Sequence, residues 1–423
     1  MSRLEIFRNK NYILLFFANL TSQMGSVIGI TAITYYMLNR FSNQPAYTTT
    51  TELMYSLPTL IVFFIVGVLA DTLDRKKIAL YSDLICGILS LFLFFSFMKG
   101  LIPLIFLFLF LRSAISKFFQ PAQQALIQGV LREEEYTVAA GLNQMVSSLF
   151  LLFGSGLGIF VFLHLGVKWA IAIDGFSFII SGILINFCRI KESVRLPNGS
   201  KRLSDIKFVT ILKDFSDGFS YIKTDKLRTS LTIGFFVFGF VNGGLSVMPA
   251  FIMKYKLTPN TYETSMIWFG IVFGTAMLLG SIVASLIAPK FKLYQLIIGG
   301  LFITGLFIGL SSLATNVYLF LVFNFVVGLF LPIANVGIGG WLPRIIDPKM
   351  MGRVQGCINP LIMVAQSIAL GLITITFPKY VSIESLFVIT GAGIFMVSIY
   401  FLRSLPYFSQ EEHVLSKESS VDL

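Results

Sequence analysis

Four ionisable side chains stand out because each lies within, or at the edge of, a long apolar stretch of the chain. They are one arginine, Arg112, and three acidic residues, Glu52, Asp83 and Asp174. A charge in the interior of a lipid bilayer costs at least about 2.5 kcal/mol unless it meets a partner or water. A carboxylic acid held there can take up and release a proton. These residue types therefore indicate proton binding inside a membrane protein.

The four positions differ in depth. Arg112 lies about ten residues inside its apolar stretch, which places it about 15 Å from the outer surface at 1.5 Å per residue and near the bilayer midplane. Glu52 lies near the outer end of its stretch, where it could be an exposed helix-start residue. Asp174 lies about one and a half turns into its stretch, where it could merely complement the helix dipole. Asp83 lies near an inner end and is better suited to a structural role.

The apolar stretches that must position these groups are long enough to cross a bilayer, since about 20 residues of helix span its hydrocarbon core. Hydrophobic residues make up 56% of the 423 residues and charged residues 13%, against about 25% charged in soluble domains. The sequence predicts an all-α polytopic membrane protein with twelve transmembrane helices, at 12–37, 50–70, 78–98, 102–126, 137–163, 169–188, 229–250, 265–287, 293–313, 317–340, 354–377 and 383–402.

The formal net charge of +11 does not indicate a nucleic-acid partner. With both termini placed in the cytoplasm, the inner loops carry 24 Lys and Arg residues and the outer loops 6, as the positive-inside rule requires. Membrane lipid is the expected surface partner, and we expect a monomer in the cell membrane. The three cysteines, Cys86, Cys188 and Cys357, lie far apart and are predicted to be packing residues rather than a disulfide or metal site.

An enzyme is disfavoured. The two histidines, His164 and His413, lie outside the interiors of the predicted spans, and neither a metalloprotease, a serine-hydrolase nor a Walker-type nucleotide motif is present. No cofactor and no metal are expected.

The chain is organised as two halves joined by a basic connector. We predict a six-helix bundle at 1–188, a cytoplasmic linker at 189–228, a second six-helix bundle at 229–403 and a disordered tail at 404–423. Within the linker, apolar residues recur at helical spacing between positions 208 and 222, which is typical of an amphipathic helix lying on a membrane surface.

Two short patterns recur in the second half and indicate a duplication. The pattern around Pro121 in the fourth span, Phe-x-Pro-Ala-x-Gln, returns around Pro332 in the tenth as Phe-x-Pro-Ile-x-Asn. A Val and an Asn five residues later open the fifth span at Val138 and the eleventh at Val354. Parallel repeats of this kind predict a substrate cavity near the bilayer midplane.

The loop between the second and third spans carries Gly67, Asp71, Asp74, Arg75 and Lys76. This spacing resembles the signature of the major facilitator superfamily, with Asp74 where the general signature has glycine. An acidic residue at that position, together with Pro58 and further matches in the fourth, sixth and eleventh spans, is similar to the drug:proton antiporter-3 branch, which includes macrolide efflux proteins.

The resemblance implies roles for these residues. The loop would form a cytoplasmic gate in which Asp71 interacts with the positive end of the eleventh span, while Arg75 pairs with a nearby carboxylate such as Asp83. Lys76 is expected to hold the membrane topology, and the whole loop could instead be only an insertion signal. Arg112 matches the fourth-span arginine that the superfamily uses in proton coupling, with Asp174 and Glu52 as candidate proton carriers. Arg112 could also merely brace helices.

Polar residues of the first, fourth, seventh and tenth spans are candidates for the substrate cavity, although each could equally form interhelical hydrogen bonds. They are Asn19, Gln23, Tyr35, Gln124, Asn242, Asn324 and Asn335. The resemblance implies a secondary transporter that exports small amphipathic molecules, macrolide-like drugs among them, in exchange for protons. The alternative is a siderophore or lysolipid transporter of the same fold.

Overall fold

The structure is a computed structural model. It describes residues 5–132, 135, 139, 142–143, 146, 149–196, 208–288, 290–346 and 351–418. The chain divides into two compact units, 1–211 and 212–423, called here the N-terminal and the C-terminal unit.

The N-terminal unit is built from helices, with a short 3₁₀ helix before the first of them. The helices are α1 (Lys10–Arg40), α2 (Ala46–Thr72), α3 (Arg75–Lys99), α4 (Ile102–Ser116), α5 (Phe119–Val130), α6 (Ser155–Leu165), α7 (Val167–Phe187) and the single-turn α8 (Glu192–Arg195). A π-helical segment, Phe150–Gly154, leads directly into α6.

The C-terminal unit is also built from helices. They are α9 (Phe208–Lys223), whose first four residues precede the boundary, α10 (Lys226–Ile252), α11 (Tyr262–Ile287), α12 (Leu293–Leu310), α13 (Val317–Ile345), α14 (Met351–Thr376) and α15 (Ile383–Glu418). α10 passes into a π-helical segment, Met253–Leu257, and α12 into a 3₁₀ turn, Ser311–Leu313.

The all-α polytopic class predicted from the sequence is confirmed. Among the described residues, ten helical segments are long and apolar enough to cross a membrane. α2, with 27 residues, occupies the second predicted span. Much of the fifth predicted span falls outside the described residues, and α6 forms its end. The count of twelve spans therefore stays a prediction. α9 forms where the amphipathic helix was expected.

Helix starts follow local side-chain chemistry. Asn9, Asp74 and Asp225 each accept hydrogen bonds from the backbone amides two and three residues later, and so cap α1, α3 and α10. An N-cap of this kind contributes about 1 kcal/mol by satisfying amides that have no partner within the helix. α3 ends at Gly100, which has a φ of 66°, a conformation that glycine adopts without steric cost.

The fourth predicted span is not one continuous helix. α4 ends at Ser116 and α5 begins at Phe119. Pro121 supplies the physical reason: it has no amide hydrogen to donate to the carbonyl of Lys117, four residues earlier, and its ring clashes with that carbonyl. The break lies near the middle of the 29-residue segment Ile102–Val130.

α15 continues to Glu418, through most of the segment 404–423 for which the sequence predicts a disordered tail. The tail carries good helix formers, among them Gln410, Glu411 and Lys417. Extending an existing helix avoids the cost of nucleating a new one, so these residues continue the last apolar helix.

All three cysteines are buried, as predicted, with exposed fractions of 0% for Cys86, 2% for Cys188 and 4% for Cys357. Each is a thiol rather than part of a disulfide. The Cys357 side chain lies in an apolar cluster with Ile222 of α9 and Ile346, which follows α13.

Candidate functional site

The centre of the N-terminal unit holds a buried ion pair between α4 and α7. Nη1 of Arg112 donates a hydrogen bond to Oδ2 of Asp174, and the two side chains are 2% and 1% exposed. The hydroxyl of Ser90, on α3, donates to the same carboxylate oxygen at 3.2 Å. Two of the residues nominated from the sequence, 62 positions apart, are therefore direct partners.

The surroundings of this pair are largely apolar. The Arg112 guanidinium lies 5.9 Å from the centre of the Phe178 ring, and the thiol of Cys86 donates to the Arg112 carbonyl at 3.5 Å. Oδ1 of Asp174 is buried and has no hydrogen-bond partner among the described residues. Removing one charge of such a buried pair leaves the other uncompensated, which costs about 3–5 kcal/mol. The pair is thus sensitive to the protonation of its carboxylate.

α1 approaches α7 closely at two glycines that the sequence reasoning missed. A Cβ atom at Gly25 would lie 1.9 Å from Oγ of Ser177 and 3.2 Å from Cα of Asp174. At Gly29 it would lie 3.0 Å from Cβ of Asp174. Two glycines four residues apart in an apolar helix are a known signal for close packing between membrane helices. Their spacing could have revealed this contact.

Glu52 lies apart from the ion pair. It is partly buried on α2, and its Oε1 accepts a hydrogen bond of 2.9 Å from Thr34 of α1. Of the two candidate proton carriers, the structure brings only Asp174 into contact with Arg112.

The expected pair between Arg75 and Asp83 is not formed. Asp83 is 1% exposed within α3, and neither carboxyl oxygen has a hydrogen-bond partner among the described residues. Its polar neighbours are the hydroxyls of Ser22 and Ser181. Arg75 is the first residue of α3, whereas Asp83 lies at the start of its third turn. Two turns of helix therefore separate Asp83 from the loop.

A pocket of about 570 Å³ lies in the N-terminal unit next to the break between α4 and α5. We call it the polar pocket. Residues of α1, α2, α3, α4, α5 and α7 and of the break itself surround it: Ser22, Gln23, Ser26, Val27, Tyr55, Thr59, Val66, Asp83, Ser116, Lys117, Phe119, Gln120, Pro121 and Phe178.

The substrate-cavity candidates of the N-terminal unit have different environments. Gln23 lines the polar pocket and donates to Oδ1 of Asn19 at 2.9 Å. Tyr35 is buried beside the ring of Phe162. Gln124 is exposed and does not line the polar pocket. Only Gln23 and, through it, Asn19 are placed at this pocket.

In the C-terminal unit, Asn324 is buried and bonds within the protein, donating to Oγ of Ser311 at 3.3 Å and to the Phe320 carbonyl at 2.9 Å. Asn324 therefore forms a hydrogen bond between elements of its unit, which was the alternative to a place in the substrate cavity. Asn242 and Asn335 are exposed on the surface of their unit.

The loop between α2 and α3 is held by contacts that the sequence did not reveal. The guanidinium of Arg195, on α8, forms two hydrogen bonds with the carboxylate of Asp74. Lys76 donates to the carbonyls of Asn186 and Cys188, at 2.9 and 2.8 Å, and so caps the end of α7. Lys76 thus has a structural partner in addition to any effect on topology. The surroundings of Gly67 and the side chain of Asp71 are not among the features that the structure describes.

The electrostatics of Asp74 reflect these contacts. Burial alone would raise the pKa of Asp74, but the hydrogen bonds from Arg195 and from the amides of Lys77 and Lys76 outweigh it and leave the pKa below its ordinary value. The hydrogen bond to Asp74 raises the pKa of Arg195 in turn. Both groups are ionised at neutral pH.

We predict that Asp74→Asn lowers stability by up to about 1 kcal/mol, because it loses the partly exposed ion pair but keeps an N-cap. Asp74→Ala should cost about 1 kcal/mol more, since it also loses the cap. Because the folded-state pKa is lowered, the ion-pair contribution is present above the unfolded-state pKa of about 3.9 and is lost as pH falls through the folded-state value. The difference in thermal unfolding between wild type and Asp74→Asn, measured between pH 3 and 7, should therefore be largest near neutral pH and narrow towards the acidic end.

Asp225→Asn provides the matched control. Asp225 caps α10 as Asp74 caps α3, but its carboxylate is 42% exposed and lies 3.5 Å from the Arg228 guanidinium. Its substitution should change stability little. Equal losses in the two asparagine variants, or a pH-independent gap for Asp74→Asn, would contradict the role given to Arg195.

Comparisons with known proteins agree with this architecture. A family model described as Major Facilitator Superfamily matches residues 15–293. The chain is 46% identical over 409 residues to the MFS-type transporter YkuC of Bacillus subtilis (strain 168), a match that covers 96% of this chain and 95% of the relative. It is 24% identical over 345 residues to Macrolide efflux protein A of Streptococcus pyogenes, covering 79% of this chain and 81% of that protein.

Among solved structures, the peptide transporter POT in complex with sulfate matches with a TM-score of 0.75. The match covers 96% of this chain and 98% of that chain, at 12% sequence identity. At this identity the likeness shows the fold alone.

Proposed function

The chain belongs to the major facilitator superfamily, and from that premise we propose that it exports small amphipathic molecules across the cell membrane in exchange for protons. It is a multi-span membrane transporter, and its relatives are transporters rather than enzymes. We further propose that both termini lie in the cytoplasm, on the strength of the excess of Lys and Arg in the loops assigned to that side.

The buried pair of Arg112 and Asp174 supports the proton-coupled part of this proposal. A proton on Asp174 would remove the negative charge that compensates the buried guanidinium. Arg112 would then need water or another partner, so a conformation in which water reaches the pair would be stabilised relative to the one in which the pair is buried. A penalty of about 3–5 kcal/mol for an uncompensated charge approaches the 5.5 kcal/mol or so that moves a two-state equilibrium from 1:99 to 99:1.

The direction of transport and the substrate class rest on relatives. Macrolide efflux protein A aligns with 79% of this chain, and its name suggests macrolide-like compounds as substrates here. The polar pocket, of about 570 Å³, falls in the size range of sites for drug-sized molecules.

The test is accumulation in energised cells that express the protein or an empty vector. The panel contains a macrolide, a lipophilic cationic dye, a catecholate siderophore and a lysolipid, each with and without an uncoupler. We expect expression to lower the accumulation of at least one compound and the uncoupler to abolish that difference. Higher accumulation on expression, or export that survives the uncoupler, would contradict proton-driven export.

A further inference from the structure

We propose that the polar pocket binds an acidic group of the transported molecule and that Lys117 is the residue that recognises it. The inference rests on the proposed export function for its setting, and it narrows the substrate class to amphipathic molecules that carry a carboxylate or a phosphate. It predicts that macrolide bases are the poorer substrates.

The position of Lys117 is unusual for a lysine. It follows α4 directly, at the break in the fourth span, one residue past the middle of the segment Ile102–Val130. Lys117 lies inside a membrane segment, where a charge is costly unless it meets a partner or water. Its charge must be satisfied inside the protein or by what enters the pocket.

Few groups among the described residues contact the Lys117 ammonium. Nζ of Lys117 lies 4.8 Å from the centre of the Tyr55 ring on α2, a cation–π contact of a kind worth about 0.5–2 kcal/mol. Among the described residues, the ammonium has no carboxylate within 4.0 Å. An ammonium group has three hydrogens to donate, and a ring face satisfies none of them as an anion would. Within the described part of the chain, Lys117 is therefore available to an anionic ligand.

The other charges near the pocket do not cancel this one. Asp83 also lines the pocket, but both of its carboxyl oxygens are buried, whereas the Lys117 side chain is partly exposed. Arg112 is neutralised by Asp174. Among the described residues, the charged group most accessible to a ligand is consequently the Lys117 ammonium.

The backbone at the start of α5 adds to the positive electrostatic potential in the pocket. α5 begins at Phe119, and no side chain caps its first amides. Phe119 and Gln120, in its first turn, line the pocket. The start of a helix carries a partial positive charge, and the ends of interrupted membrane helices bind anionic groups in transporters.

The remaining lining suits an amphipathic molecule. Hydroxyl and amide groups of Ser22, Gln23, Ser26, Thr59 and Gln120 offer hydrogen bonds, while Val27, Val66, Pro121 and Phe178 offer apolar contact. An acidic head with an apolar body satisfies both parts of this surface.

The test uses full-length protein in lipid nanodiscs and fluorescent probes with one common alkyl tail. The heads are a carboxylate, a phosphate, a trimethylammonium and a neutral amide, and binding is followed by fluorescence anisotropy. We expect wild type to bind at least one acidic probe at least tenfold more tightly than the amide probe. The carboxylate and phosphate arms separate the two sources of negative charge.

Three variants assign the effect to Lys117. In Lys117→Gln the preference for the acidic head should disappear, while binding of the amide probe stays within about twofold. Lys117→Arg should keep most of the preference, because the charge remains. Lys99→Gln, which removes an exposed lysine at the end of α3, controls for net charge and should behave as wild type.

A wild-type preference for the trimethylammonium or amide probe would overturn the inference without need of any variant. So would an acidic preference that persists in Lys117→Gln. Export of the amide probe that is abolished by an uncoupler, in protein that shows no acidic preference, would leave the proposed function standing and remove only the role of Lys117.

Discussion

Arg112→Ala is expected to abolish uncoupler-sensitive export, with transport falling at least about 100-fold. The substitution leaves Asp174 buried and unpaired beside Phe178, at a cost of about 3–5 kcal/mol, and each 1.4 kcal/mol or so corresponds to a factor of ten. The protein should still insert into the membrane, because the apolar segment of α4 is unchanged. Export measured in energised cells, normalised to the amount of protein in the membrane, checks this result.

A double variant separates coupling from stability. In Arg112→Leu/Asp174→Leu both charges are gone, and apolar replacement of a buried ion pair is often neutral or stabilising by about 1–4 kcal/mol. We expect its thermal unfolding in detergent to return to the wild-type midpoint or above it, while uncoupler-sensitive export remains absent. Uncoupler-sensitive export by the double variant would show that the pair contributes to stability and not to proton coupling.

Gly25→Ala is expected to lower stability by about 1–3 kcal/mol and to reduce export strongly. The new Cβ atom would lie 2.4 Å from Cβ of Ser177, a clash that rotation of the Ser177 hydroxyl cannot relieve. α1 and α7 must therefore move apart, with the usual cost of overpacking. Because α7 carries Asp174, the movement also disturbs its contact with Arg112. Thermal unfolding and export are the two measurements.

Two further variants control this prediction. Gly371→Ala places a methyl group where no atom lies within 4 Å and should be neutral or slightly stabilising, since alanine favours helix over glycine. Gly25→Ala/Ser177→Gly removes the Ser177 side chain that the new methyl group would clash with and should recover much of the lost stability. A Gly25→Ala variant as stable and active as Gly371→Ala would show that close packing of α1 on α7 is not required.

The fold was largely predictable because hydropathy alone determines which segments can leave water. Where long apolar runs and clear polar breaks alternate, as between Lys99 and Ile102, the predicted and observed helices agree closely. The tail illustrates that polarity says little about where a helix ends. A helix already formed at Ile383 can continue through polar residues to Glu418 at little cost.

The break in the fourth span shows a limit of pattern matching. Pro121 and Pro332 occupy equivalent positions in the two repeats, yet α5 begins two residues before Pro121 while α13 runs unbroken past Pro332. A proline removes one hydrogen bond in either case. Whether the helix stays continuous despite the lost hydrogen bond depends on the packing around it, and this packing cannot be read from the sequence.

The site was predictable by residue type but not by contact. Arg112 and Asp174 were recognisable because charges in apolar stretches are costly, whereas their pairing across 62 residues depends on how three helices pack. Asp74 was recognised as part of a loop signature, but its partner Arg195 lies in a connector with no distinguishing pattern. Lys117 lies within the fourth predicted span, 102–126, but its significance comes from the break, which the sequence did not predict.

The burial of Cys86, Cys188 and Cys357 has a practical consequence for following the transport cycle. Thiol-reactive reagents should label the folded wild-type chain slowly, so that no native cysteine needs to be removed before a reporter is introduced. Gln120, exposed and lining the polar pocket, is a suitable site: in Gln120→Cys, the rate of labelling by a membrane-impermeant maleimide would report when the pocket opens to water. Applying the reagent from one side of the membrane at a time would then tell which side it opens to.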